Sequence, residues 1–104
     1  KSLENIVFLQ LTRTKAPLDK ITYYQGGGEC DFVIQHADSV KQLIQVAWEI
    51  NDPNTREREI AGILEASQET GCDNLFIITK DAESVVTLDG KQINIVPAWK
   101  WLLI

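Results

Sequence analysis

The stretch from Asn51 to Gly71 constrains this chain more than any other. Asn51-Asp-Pro-Asn-Thr55 reads as a helix start. Asn51 or Asp52 can accept the free N–H groups of the first turn, and Pro53 is already set at a helical φ where its missing N–H costs nothing. Ile60, Ile63, Leu64 and Ser67 recur on one stripe to about Thr70, and Gly71 stands where a left-handed residue closes a helix. Dense apolar runs flank the segment: Leu43-Ile-Gln-Val-Ala-Trp48 before it and Leu75-Phe-Ile-Ile78 after it. Two buried strands joined by a long helix make a right-handed parallel crossover.

The rest of the chain fits around that unit. Leu3, Ile6, Val7, Gln10 and Leu11 predict an amphipathic helix over 2–14, with Ser2 as a cap and Pro17 beyond its end. Ile21-Thr-Tyr-Tyr24 and Cys30-Asp-Phe-Val-Ile34 read as strands. The triple glycine Gly26-Gly27-Gly28 between them is read as a hairpin loop, because no Lys-Ser/Thr or helix follows to make it a phosphate cradle. After a polar turn at His36-Ala-Asp-Ser39, a third strand runs from Lys41 to Trp48. Asn74 to Lys80 is a fourth strand. Ser84–Leu88, Asp89-Gly90 and Gln92–Val96 form a hairpin, and Ala98–Leu103 a short terminal helix. The expected architecture is a three-layer α/β sandwich on a mixed sheet, in one domain over 1–104. The three tryptophans, Trp48, Trp99 and Trp101, are expected to pack in the core, with one of the last two turned toward a partner.

Composition bounds the function. Ten Lys+Arg against fifteen Asp+Glu give a net charge of −5. The basic residues are scattered, so strong autonomous binding to nucleic acid or an anionic membrane is not expected. The longest apolar runs are four residues, against ~20 for a membrane span. A single His36 and two distant cysteines, Cys30 and Cys72, make no zinc site; the thiols read as reduced, in a cytoplasmic protein. Arg56-Glu-Arg-Glu59 reads as a solvated, self-paired helix face. His36 reads as exposed and inert, for want of a carboxylate or nucleophile to pair with it. The absence of an initiating Met, with amphipathic sequence starting at once, reads as a piece of a longer polypeptide.

Asp31 falls on the second strand, and Gln45 and Ala47, two apart, share a face of the third. The order of Glu4 in the first helix, Glu29-Cys-Asp31-Phe-Val-Ile34, Leu43-Ile-Gln45-Val-Ala47, Thr55-Arg-Glu-Arg-Glu59 and Ile95-Val-Pro-Ala-Trp-Lys-Trp-Leu-Leu103 resembles the PD-(D/E)XK nuclease-like domains. More closely, it is similar to the C-terminal domain, of unknown function, of predicted prokaryotic AAA+-type ATPases.

That resemblance implies a restriction-endonuclease-like fold. Active relatives hold Mg²⁺ between an Asp and a Glu on neighbouring strands, and a Lys two residues on supports the attacking water. Carried over, Asp31 matches the Asp and is the one metal-ligand candidate, Gln45 stands for the Glu, Ala47 for the Lys, and Glu4 for a helix acid. Gln45 is a neutral, weaker ligand for a hard cation. Ala47 can move no proton, and a lost acid–base group alone removes ~10²–10⁴-fold in rate. The resulting expectation is a degenerate, non-catalytic binding or regulatory domain with no cofactor. ATP would bind in an upstream ATPase module, since no Gly-x-x-x-x-Gly-Lys-Ser/Thr occurs here. The expected partners are that module or a second copy. The alternative is a Mg²⁺- or Mn²⁺-dependent DNA nuclease rescued by a displaced lysine, Lys41 or Lys20.

Overall fold

The computed structural model describes residues 2–24 and 31–104. In chain order its elements are α1 (Leu3–Thr14), β1 (Asp19–Thr22), β2 (Phe32–His36), β3 (Ser39–Val46), α2 (Pro53–Thr70), β4 (Leu75–Thr79), β5 (Ser84–Leu88), β6 (Lys91–Pro97) and α3 (Ala98–Trp101). The sheet has the order β1-β2-β3-β4-β6-β5. β1, β2 and β3 form an antiparallel meander, while β3–β4 and β4–β6 are parallel. β5 turns back along β6 as the outer strand. The radius of gyration, 12.8 Å, agrees with the roughly 13 Å of a compact chain this long.

Local chemistry sets the element ends. The Ser2 hydroxyl accepts the Asn5 N–H at the start of α1. Asp52 caps α2 by accepting the Thr55 N–H, and Pro53 follows in the first turn. Gly71 closes α2 at φ +76°, in the left-handed region that glycine enters without Cβ strain. Asp89 and Gly90 both have positive φ, as a tight hairpin turn requires. The helices divide onto the two faces of the sheet. Ile60 and Ile63 of α2 pack with Leu43, Ala47, Leu75, Ile77, Ile93 and Ile95 of the face beneath. Val7 and Leu11 of α1 and Trp101 of α3 cover Phe32, Ile34, Ile44 and Ile78 on the other face.

Ser67 joins the layers: its hydroxyl donates to the Cys72 carbonyl at 2.6 Å and accepts from Lys91 Nζ at 2.8 Å. Cys72 is a buried free thiol whose pKa is raised by burial. Cys30, Glu29 and the glycine loop 26–28 lie outside the described residues.

Several expectations need correction. The first strand is Asp19–Thr22 rather than 21–24, and the second starts at Phe32, leaving Asp31 just ahead of it. Trp48 lies beyond β3 and is 58% exposed, with Lys80 Nζ 5.5 Å from its ring centre. Of the last two tryptophans Trp101 packs inward and Trp99, 61% exposed, is the outward one of the pair, as expected. The β2–β3 ladder carries a bulge: Ile34 faces Gln42 but Gln35 faces Val40, leaving Lys41 as the extra residue. Beyond a bulge the alternation of faces is reset. Val40 and Leu43 both pack toward α2, while Lys41 reaches Asp19 of β1 at 2.6 Å, beside Ile21 on the α1 side.

Candidate functional site

β3 passes between the meander and the parallel half of the sheet, and its last turn of pleat carries the candidate residues. Leu43, Gln45 and Ala47 all face α2. Ala47 is sealed in the apolar cluster there. Gln45 is 4% exposed, and its Nε2 donates to Glu59 Oε2 of α2 at 2.7 Å. Its Oε1 is buried and has no hydrogen-bond partner among the described residues.

Asp31 stands at the mouth of this arrangement. Its Oδ2 accepts the Val46 N–H at 2.7 Å, so the side chain takes a ladder position just where β2 begins. Glu4, from the first turn of α1, and Glu59 of α2 both lie within electrostatic reach of the Asp31 carboxyl. Burial raises the Asp31 pKa to about 6. The Val46 N–H opposes the rise, and the like-charged Glu4 and Glu59 add to it. The fold thus brings together Glu4, Asp31 and Gln45, places Ala47 in the core beside them, and adds Glu59. The Arg56–Glu59 run was expected to be solvated throughout, but Glu59 is buried. Its spacing from Ile63 and Ala66, i, i+4 and i+7, was the available signal for that inward side.

The candidate lysines are not brought to this point. Lys41 pairs with Asp19, and Lys20 is exposed on β1. His36 has a carboxylate partner that the sequence did not reveal: its Nδ1 lies 2.8 Å from Asp19 Oδ1, at the far end of the meander. Asp19 is buried, and hydrogen bonds from Lys41 and then His36 hold its pKa below the ordinary value.

On the α2 side Gln45 turns its amide nitrogen on Glu59, and Ala47 offers no donor. Among the described residues no group of three or more His, Cys, Asp or Glu side chains is placed to hold a metal ion.

The raised carboxyl has a measurable consequence. In the unfolded chain Asp31 ionises near 3.8, and in the folded protein near 6. The folded state therefore binds this proton more tightly, and the stability it contributes is full below the lower value and lost as pH rises through the upper one. A shift of this size in a fully dry site would be worth about 3 kcal/mol; solvent at the open side reduces that to about 1–2 kcal/mol. Asp31→Asn keeps an acceptor for Val46 and removes the charge. Urea unfolding is expected to show the variant about 1–2 kcal/mol more stable than wild type near pH 8, with the gain gone near pH 4.

Comparison with known proteins adds one relative. A Methanocaldococcus jannaschii protein described only as uncharacterized protein MJ1544 is 40% identical over 109 residues, a match covering 97% of this chain and 24% of the relative. The chain therefore spans about a quarter of the protein it resembles. No model of a known protein family matches the chain. No solved structure matches it either. Among the described residues no helix is long and apolar enough to cross a membrane.

Proposed function

We propose that this chain is a non-catalytic binding or regulatory domain. It retains a PD-(D/E)XK-like, restriction-endonuclease-like layout without that fold's chemistry, and serves as the C-terminal unit of a larger cytoplasmic AAA+-type ATPase. One observation carries the reading: the position that resembles the nuclease lysine is Ala47, closed in the apolar layer under α2. The Gln45 amide nitrogen beside it donates to Glu59. The displaced-lysine alternative is weakened by the bulge that ties Lys41 to Asp19. The 24% coverage of the relative agrees with a unit inside a longer polypeptide. In this reading ATP is handled upstream, the domain needs no cofactor of its own, and its partners are the ATPase module or a second copy.

Labelled single- and double-stranded DNA incubated with the purified domain and Mg²⁺ or Mn²⁺ tests the proposal. The expected result is no cleavage above an Asp31→Ala control. Cleavage that disappears in that control would establish the nuclease alternative instead.

A further inference from the structure

A second feature lies on the α1 side of the sheet, around the outer edge of the Asp31–Glu4 pair. Phe8 of α1, Tyr23 just past β1 and Phe32 at the start of β2 form a row. The Phe8 and Phe32 ring centres are 6.0 Å apart and tilted by 30°; those of Tyr23 and Phe32 are 5.7 Å apart and tilted by 36°. Phe32 is the buried floor, whereas Phe8 and Tyr23 are large exposed rings. With Ser2, Glu4 and Asn5 they line a pocket of about 450 Å³. Glu4 supplies its acid end.

Aromatic faces carry negative potential and attract cations, most strongly where a carboxylate completes the enclosure. A guanidinium suits this arrangement better than an ammonium, because it is planar, stacks on rings and presents a fork of donors to carboxylates. A nucleotide would set its phosphates against Glu4 in a chain of net charge −5. Free arginine would bring its own carboxylate to the same end.

We propose that the pocket between the start of α1 and the mouths of β1 and β2 binds an arginine side chain presented by a partner polypeptide. The guanidinium lies along the aromatic row and forks onto the two oxygens of the Glu4 carboxylate. The proposal rests on the binding-domain reading and deepens it, by giving the chemistry of the partner.

Amide NMR titration of the domain with N-acetyl-arginine amide tests it. Shifts are expected at Asn5, Tyr23 and Phe32, with a dissociation constant on the order of 1 mM. The neutral analogue N-acetyl-citrulline amide should bind about tenfold more weakly. Glu4→Gln and Tyr23→Leu each should weaken binding about threefold; both side chains are exposed, so the variants should keep dispersed spectra. Equal binding of the citrulline analogue, shifts confined to another face, or indifference to both substitutions would overturn the proposal. Tighter binding of free arginine than of the capped form would overturn the polypeptide origin. No divalent cation enters this titration, and Tyr23 has no part in the nuclease-like site. Asp31-dependent DNA cleavage with arginine binding intact would remove the binding-domain reading alone, and lost arginine binding without cleavage would remove only the present proposal.

Discussion

Ala47→Lys is expected to lower the stability of the domain by about 3–5 kcal/mol, although it restores the residue type that an active nuclease-like site would carry at this place. Ala47 is 7% exposed and packs with Leu43, Ile50 and Ile60 under α2. A lysine stem in that space forces neighbouring side chains off their rotamers, which alone costs about 1–3 kcal/mol. Its ammonium must in addition leave water, or lose its proton and titrate well below the ordinary lysine value. Glu59, already bonded to Gln45, is a carboxylate on this face, and pairing with it sets the lower end of the range. Guanidinium unfolding of wild type and variant measures the loss, and no DNA cleavage is expected to accompany it. A variant of unchanged stability with an ordinary lysine pKa would mean that position 47 opens to solvent. The case for a closed, non-catalytic site would then fall.

The crossover was legible because its signals are local and reinforce one another. Pro53, the periodic Ile60, Ile63 and Leu64, and Gly71 mark one helix, and the flanking apolar runs are long enough to be strands buried on both sides. The capping side chain and the left-handed closure both appear where those residues predict them. The shared face of Gln45 and Ala47 followed from the two-residue period of a strand. What stayed hidden depends on pairing between distant segments. The bulge opposite Ile34 and Gln35 has no residue of its own to announce it, yet it sends Lys41 to Asp19, while the β1–β2 pairing of Asp19 with His36 gives that imidazole its carboxylate. Trp48 belongs by composition to the buried run, but the ladder with β4 is carried on only by the Ala47 and Trp48 backbones, and its ring faces out beside Lys80. Glu59 was masked by its charged neighbours Arg56, Glu57 and Arg58. The aromatic row needed Tyr23, just past β1, to lie against Phe32, which composition does not state.

Ile77→Ala is expected to cost about 3–4 kcal/mol, the second large effect, because its side chain has nowhere to be replaced from. Ile77 is fully buried at the centre of β4, between its Cα partners Gln45 of β3 and Ile95 of β6. On the α2 side it touches the same apolar layer as Leu43 and Ala47. The sheet is held by backbone pairing on both flanks, so its strands cannot close over the vacated volume, and a cavity remains. Ile77→Val, which removes a single methylene group, should cost only about 0.5–1.5 kcal/mol. Urea unfolding should show both losses as a lower midpoint at an unchanged slope, since the surface exposed on unfolding scarcely alters. The cavity would also open next to Gln45, whose Oε1 has no partner among the described residues, a polar neighbour that can draw in water where a wholly apolar cavity stays dry. A loss for Ile77→Ala no larger than that for Ile77→Val would mean that α2 settles freely onto the sheet. Ala47 would then lie under a cover loose enough to admit solvent, the condition that a working nuclease site needs.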